Sequence, residues 1–271
     1  VNAKSGKCSE NCSFCAQSAH HQTNTKTFPL INAKEIHDTA NKASKEKATC
    51  FSIVTSGKGI VTKDDLQTIN TGINNIKKNV RINPCASLGI LDLDQLVKLK
   101  KSGLKRFHHN LETAKSYFSN VCTTHDYEDR VNTIKNAKQA GLEVCCGGIF
   151  GIGESAEHRI ELAFTLKDLD VESIPLNIHN PIKGTKLEDS KSLTPLEAIR
   201  LIATFRFIHP DKEIGVIGGR ETQMKDLQSF ALVSGANTIL IGNYLTTSGR
   251  STSADIDMIK DLGLEIETVK C

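Results

Sequence analysis

Three cysteines fall within one short stretch near the start of the chain, Cys8-Ser-Glu-Asn-Cys12-Ser-Phe-Cys15. Three thiolates on so short a loop can face one point, which suits an iron–sulfur cluster. The number three matters. A cubane 4Fe–4S cluster has four irons, so one iron is left without a protein ligand and is open to a small molecule. The competing chemistry is a three-Cys zinc site completed by His20 or His21, but structural zinc sites ordinarily use paired Cys-x2-Cys knuckles. The full set of cysteines stands at 8, 12, 15, 50, 85, 122, 145, 146 and 271. An odd count, crowded at one end, is unlike the evenly spread staples of small secreted domains. It points to reduced thiols in a cytoplasmic setting, some of them holding metal.

The elements that must position these groups alternate between short β-type runs and amphipathic helical stretches. Strands are expected at 1–5, 48–54, 80–86, 105–111, 143–149, 173–178, 213–218 and 238–242. Asp92-x-x-Gln95 leads into Leu93, Leu96, Val97 and Leu99. Thr194-Pro195-Leu196-Glu197 leads into Ile199, Ile202 and Phe205; both are helix-start signals. Val131, Ile134 and Ala137 form a further stripe, which Gly141 closes. Strand–helix units in this number, over about 240 residues, fit a parallel (β/α)8 barrel, taken here as a single domain over 1–271. A doubly wound open sheet is the competing architecture. The unit count, and the polar or Cys residues in or just after many strands, favour the barrel. Lys183–Leu193 is the longest polar loop and reads as a βα connection. In His108-His109-Asn110-Leu111-Glu112, alternate side chains share one strand face. His108, Asn110 and Glu112 are therefore expected to point together at the C-terminal mouth of a barrel, where active sites lie. Lys98, Lys100, Lys101, Lys105 and Arg106, interleaved with Leu96, Val97 and Leu99, read as a solvated helix edge.

Composition excludes other classes. The formal charge is +3, Trp is absent and aromatic residues make up 5% of the chain. A strong nucleic-acid binder would show a basic excess or stacking platforms. No apolar run approaches the ~18 residues of a membrane-spanning helix. No secretory signal pattern opens the chain, and an opening Val is what a start inside a longer product would give.

The C-x3-C-x2-C spacing resembles the signature of radical S-adenosylmethionine (SAM) enzymes. The likeness narrows with Cys12-Ser-Phe-Cys15-Ala-Gln17-Ser18, Phe107-His-His-Asn-Leu-Glu-Thr113, Thr123-Thr-His-Asp-Tyr-Glu-Asp-Arg130, Gly147-Gly-Ile-Phe-Gly-Ile-Gly-Glu154, Ile174-Pro-Leu-Asn177 and Gly218-Gly-Arg220. In this order, from about residue 1 to residue 248, they resemble the biotin synthase family, without its usual N-terminal lead-in. The resemblance implies a (β/α)8 barrel that inserts sulfur into dethiobiotin. Cys8, Cys12 and Cys15 would hold the 4Fe–4S cluster on which SAM is cleaved to a 5′-deoxyadenosyl radical. By the same resemblance Asn110 and Glu112 contact SAM, with Glu112 placed for the ribose hydroxyls. Arg130 meets the SAM carboxylate, a pairing that suits a planar guanidinium. Gly148 and Gly151, in the Gly147–Glu154 stretch, border the adenine. Asn177 meets the ureido ring of dethiobiotin, and His108 stands near the substrate where many relatives carry Asn.

The family also carries an auxiliary 2Fe–2S cluster, held by three Cys and one Arg, whose sulfide the substrate radical attacks. Cys85, Cys145 and Arg220 match three of those positions, and Ser52 stands where the remaining Cys is expected. Two readings are open. Ser52 ligates through oxygen, a poorer match than thiolate. Alternatively Cys50 takes over, displaced by about 6–7 Å along the strand. Arg220 also reads as a charge partner in the barrel. Cys146 is expected to face away from Cys145, and Cys122 receives no role. A flavodoxin or ferredoxin as electron donor, a homodimer and a cytoplasmic location are implied as well. The competing functions are a neighbouring radical SAM enzyme, such as a hydrogenase-cofactor maturase or methylornithine synthase, and a non-catalytic metal-binding barrel.

Overall fold

The structure is a computed structural model, and it describes residues 1–60, 62–245 and 249–267. Among them run nine short strands: β1 Asn2–Lys4, β2 Cys50–Thr55, β3 Asn83–Ser87, β4 Arg106–His108, β5 Glu143–Cys145, β6 Gly148–Phe150, β7 Ser173–Ile178, β8 Glu213–Val216 and β9 Thr238–Ile239. The helices are α1 Ala33–Lys45, α2 Lys63–Asn79, α3 Leu93–Lys101, α4 Tyr127–Gln139, α5 Ala156–Asp168, α6 Pro195–Ile208, the short α7 Arg220–Met224 and α8 Ser229–Val233, and α9 Thr252–Asp261. Every strand pair is parallel, in the order β1-β2-β3-β4-β5-β7-β8-β9, with β6 also paired to β7. This is the curled parallel sheet wrapped by helices that the unit count predicts. Among the described residues no ladder joins β1 to β9. One side-chain bond draws those edges together, from Asn2 Nδ2 to the Leu245 carbonyl at 3.2 Å.

The helix starts form as their sequences require. Asp92 accepts from Gln95 N at 2.8 Å while Gln95 Oε1 accepts from Asp92 N at 3.1 Å. Thr194 and Glu197 make the same reciprocal box ahead of Pro195. The apolar stripes of α1, α2 and α3 (Ile36, Ile69, Ile73, Ile76, Leu96 and Leu99) are fully buried against the outer face of the sheet. On that face stand Ile53, Ala86, Phe107, Val144, Ile174 and Ile214, all buried. Their immediate neighbours in each strand face the barrel interior, because side chains alternate. Those neighbours are Ser52, Cys85, Arg106, His108, Cys145, Ser173 and Glu213, so the interior is polar where the outer layer is apolar.

Several strands are shorter than expected: 1–5 reduces to Asn2–Lys4, 213–218 ends at Val216 and 238–242 at Ile239, and two further cases shape the site. The expected strand 143–149 divides into β5 and β6. At the break, a Cβ on Gly147 would stand 2.0 Å from the Pro175 carbonyl oxygen, so only glycine permits this approach to β7. The expected strand 105–111 ends at His108. Beyond it, Asn110 Oδ1 accepts from Gly147 N at 3.2 Å, and Glu112 turns into the left-handed region at φ +69°. The strict alternation expected of His108, Asn110 and Glu112 therefore stops before Glu112. Lys183–Leu193 is a loop between β7 and α6, as read from the sequence. Cys271 lies outside the described residues.

Candidate active site

The Cys-rich loop leaves the C-terminal end of β1 and is laced to itself. Gln17 Oε1 accepts from Ser5 Oγ and from Gly6 N, both at 3.1 Å. Cys8 N donates to Gln17 O at 3.0 Å, Ala19 N to Cys8 O at 2.8 Å, and Cys15 N to Cys12 O at 3.0 Å. Cys12 is buried, while Cys8 and Cys15 are half-buried. Burial pushes the Cys15 thiol up to about 11. A hydrogen bond with Cys122, together with burial, pushes Cys12 higher still. Binding to a metal would replace these protons.

A single zinc ion fits the loop poorly. Thiolates on one zinc stand about 3.8 Å apart. Among the described residues the one trio of ligand atoms gathered within 4.8 Å is Glu10, Cys122 and His125, not the three loop cysteines. The wider spacing suits a cluster on which each thiolate meets its own iron. His20 Nε2 lies 3.0 Å from Ser9 O, and His21 Nδ1 lies 2.8 Å from Cys15 O. Both imidazoles are thereby turned toward main chain.

Beside the loop lies a chain of polar side chains. Glu10 Oε2 lies 2.5 Å from His125 Nδ1, and Arg130 Nε donates to His125 Nε2 at 2.9 Å. Arg130 Nη1 donates to Asn110 O at 2.8 Å and to Glu112 Oε1 at 3.2 Å. Asn110, Glu112 and Arg130, expected to act together, are thus brought together. The other oxygen of Glu112, Oε2, is buried without a partner. A carboxylate on strained backbone with a buried orphan oxygen costs stability unless a ligand supplies the donor.

The glycine-rich turn closes this pocket. Glu154 accepts from Gly151 N at 2.9 Å and Ile152 N at 2.8 Å, and Arg159 Nε donates to it at 2.7 Å. Gly151 holds φ +90°, open chiefly to glycine. A Cβ on Gly148 would stand 2.7 Å from Glu112 O, the acceptor for Ile149 N. Glycine at Gly148 therefore keeps the turn against Glu112. An orphan carboxylate oxygen beside main chain bare of Cβ atoms fits a nucleoside. Asn177 is part of the same mouth: its Nδ2 donates to Gly148 O at 3.1 Å and its Oδ1 accepts from Gly218 N at 3.0 Å. One N–H and one lone pair of that amide remain for another partner.

The barrel floor carries Ser52, Cys85, His108 and Cys145 on adjacent strands. Ser52 stands opposite Cys85 in register, and its Oγ lies 3.3 Å from His108 Nδ1. His108 in turn pairs with Cys145 in register. Burial, then the nearby Arg106 charge, pushes His108 down to about 4, so its imidazole is neutral near pH 7. Burial raises the Cys145 thiol to about 11. Cys146 packs outward in the apolar layer, as expected.

Two arginines exchange roles. Arg220 is not brought to Cys85 and Cys145. Gly219, at φ +71°, ends the turn after β8, and α7 carries the Arg220 side chain to α9. There Nη2 donates to both oxygens of Asp255 at 2.9 Å, and Nη1 to Gln228 Oε1 at 2.7 Å. It is a buried charge partner. Arg106, grouped in sequence with a solvated basic edge, instead turns inside. It donates to Glu143 Oε2 at 2.8 Å and to Glu213 Oε1 at 2.9 Å. The signal available in the sequence was its place directly before Phe107 in a strand of alternating pattern.

Two family models match the chain. The Radical SAM superfamily matches residues 3–166, and the Biotin and Thiamin Synthesis associated domain matches residues 175–265. The biotin synthases of Geotalea daltonii and Geobacter sulfurreducens are each 51% identical over 98% of this chain and 81% of their own length. Among solved structures, a methylornithine synthase aligns at a TM-score of 0.81 with 20% identity, over 98% of this chain and 82% of its own. That likeness carries the fold alone. Half-identical sequence along nearly the whole chain, with both domain models matched in order, places it more narrowly: the chain belongs to the biotin synthase family of radical SAM enzymes.

Proposed function

We propose that this chain inserts sulfur into dethiobiotin to form biotin, using SAM. The carrying observation is the identity of about half the residues with biotin synthases along nearly the whole chain, joined to the juxtaposition of the three-Cys loop with Arg130 and the orphan oxygen of Glu112. When bound, a 4Fe–4S cluster and SAM supply a 5′-deoxyadenosyl radical, which removes hydrogen from an unactivated carbon where no acid or base here could.

The residues do the rest. Cys8, Cys12 and Cys15 would hold the cluster. Arg130, fixed by Asn110 O and His125, receives the SAM carboxylate. Glu112 Oε2 accepts from a ribose hydroxyl, and main chain at Gly148 and Gly151 admits the adenine. Asn177 and His108 face the substrate from the strand ends, and the apolar wall outside the sheet keeps bulk water away. Tight positioning is required, since an ångström of misplacement costs about 100-fold in rate. A flavodoxin or ferredoxin supplies the electron, and the enzyme works in the cytoplasm as a homodimer of single-barrel subunits. No helix among the described residues is long and apolar enough to cross a membrane.

The test is anaerobic reconstitution with iron and sulfide, followed by SAM, reductant and dethiobiotin. Biotin is the expected product. Formation of 5′-deoxyadenosine without biotin would overturn the assignment in favour of another radical SAM reaction.

A further inference from the structure

The Cys8–Cys15 loop carries a buried carboxylate, Glu10, to which the proposed reaction gives no task. Its Oε2 lies 2.5 Å from His125 Nδ1 and accepts from Thr124 Oγ1 at 2.8 Å. The next loop residue, Asn11, is tied to the same segment. Asn11 N donates to Thr124 Oγ1 at 3.1 Å, and Asn11 Oδ1 accepts from Thr123 N at 2.9 Å. The loop is thus stitched to Thr123, Thr124 and His125, which lead into α4, the helix that carries Arg130.

The imidazole passes this anchorage on. Arg130 Nε bears a hydrogen and no lone pair, so its 2.9 Å contact requires His125 Nε2 to accept. The ring proton then sits on Nδ1, facing Glu10, and each hydrogen bond sets the direction of the other. Nη1 of Arg130 donates to Asn110 O and Glu112 Oε1, and the guanidinium carbon lies 5.8 Å from the centre of the Phe118 ring. Nε and Nη1 are thereby engaged, which leaves the N–H groups of Nη2 for a carboxylate. Glu10, Cys122 and His125 also lie close enough together to hold a metal ion. The Arg130 cation, hydrogen-bonded to the same imidazole, opposes a second positive charge there and favours a role in orientation.

We propose that Glu10 and His125 are positioning residues: they turn the Arg130 guanidinium so that Nη2 faces the SAM carboxylate, and they make its reception depend on the fold of the Cys8–Cys15 loop. The proposal rests on the assignment of Arg130 to that carboxylate in the reading above. It requires no proton transfer and no new covalent bond, only that two buried side chains hold a third in one orientation.

The test is equilibrium dialysis of the iron-loaded full chain with two probes. S-adenosylhomocysteine keeps the amino-acid end of SAM, and 5′-methylthioadenosine lacks it. His125→Phe keeps an aromatic ring against Phe118 but removes both hydrogen bonds. It is expected to weaken S-adenosylhomocysteine about 10-fold and to leave 5′-methylthioadenosine within about 2-fold of wild type. Glu10→Gln, which keeps an acceptor for His125 without the charge, is expected to act in the same direction at about 3-fold. In an Arg130→Ala background, His125→Phe should have no further effect on either probe, since it acts through Arg130 alone. Weakening of both probes alike, unchanged S-adenosylhomocysteine binding in both variants, or a full effect of His125→Phe without Arg130 overturns the proposal and leaves the assignment of Arg130 standing. An Arg130→Ala protein that binds S-adenosylhomocysteine as tightly as wild type overturns both.

Discussion

Glu112 combines a backbone conformation that side chains resist with a buried oxygen that nothing satisfies, and substitutions there separate the two costs. Its φ is +69°, where a Cβ costs about 1 kcal/mol or more and glycine costs none. Burial of the orphan Oε2 costs about 1–3 kcal/mol without ligand. Against these stands the ion pair with Arg130 at 3.2 Å, whose loss costs about 1–2 kcal/mol because Arg130 keeps its bonds to Asn110 O and His125. The terms nearly cancel. Glu112→Gly is therefore expected within about 1 kcal/mol of wild type in the absence of SAM, and Glu112→Ala about 1 kcal/mol less stable than Glu112→Gly, since only alanine keeps the left-handed penalty. Both variants lose the same acceptor. A hydrogen bond to a charged oxygen at about 1.5–3 kcal/mol makes the SAM dissociation constant rise about 10- to 150-fold in each. Urea unfolding of the iron-loaded protein, and equilibrium dialysis with labelled SAM, measure the two quantities. An alanine variant as stable as the glycine one, or SAM binding unchanged in either, refutes the reasoning.

Three other substitutions probe the frame. Arg106→Met leaves Glu213 without its ion-pair partner and Glu143 with Lys105 alone; because both carboxylates are partly solvated, the expected loss is about 1–2 kcal/mol in urea unfolding, partly recovered by adding Glu213→Gln. Gly147→Ala places a Cβ 2.0 Å from Pro175 O, so backbone must move, and thermal unfolding should show a loss of about 2–3 kcal/mol with weaker SAM binding. His209 is held below its ordinary value of 6.5 chiefly by burial, its Nε2 lying 3.0 Å from Ala163 O. The unfolded chain then binds the proton more readily, so this contribution is present above pH 6.5 and is lost as pH falls below it. Unfolding free energies between pH 7.5 and 5.5 should fall less steeply in His209→Gln than in wild type; equal slopes would refute the assignment.

What local chemistry dictates was legible in the chain. Asp92 with Gln95 and Thr194 with Glu197 cap helices because the partners lie three residues apart. Three cysteines on one loop needed no fold to be recognised. The departures all involve distant partners. β4 ends at His108, and beyond it the side chain of Asn110 takes the amide of Gly147, a partner remote in sequence. The strand at 143–149 breaks because Gly147 meets Pro175, another strand's main chain. Arg106 leaves its basic neighbours for Glu143 and Glu213, and Arg220 leaves the barrel for Asp255. No window along the sequence contains those carboxylates beside those guanidinium groups, so neither destination is readable from spacing.

Arg106 has a mechanical consequence for the whole ring. It reaches from β4 to the distant β8 through the interior, whereas no ladder among the described residues joins the first strand to the last. A hoop kept round by an internal spoke, with its rim left unwelded, yields first at the join. Amide exchange should accordingly be slowest along the arc from β3 to β8 and fastest in β1 and β9, which puts the built-in place to breathe directly beside the strand that leads into the Cys8–Cys15 loop.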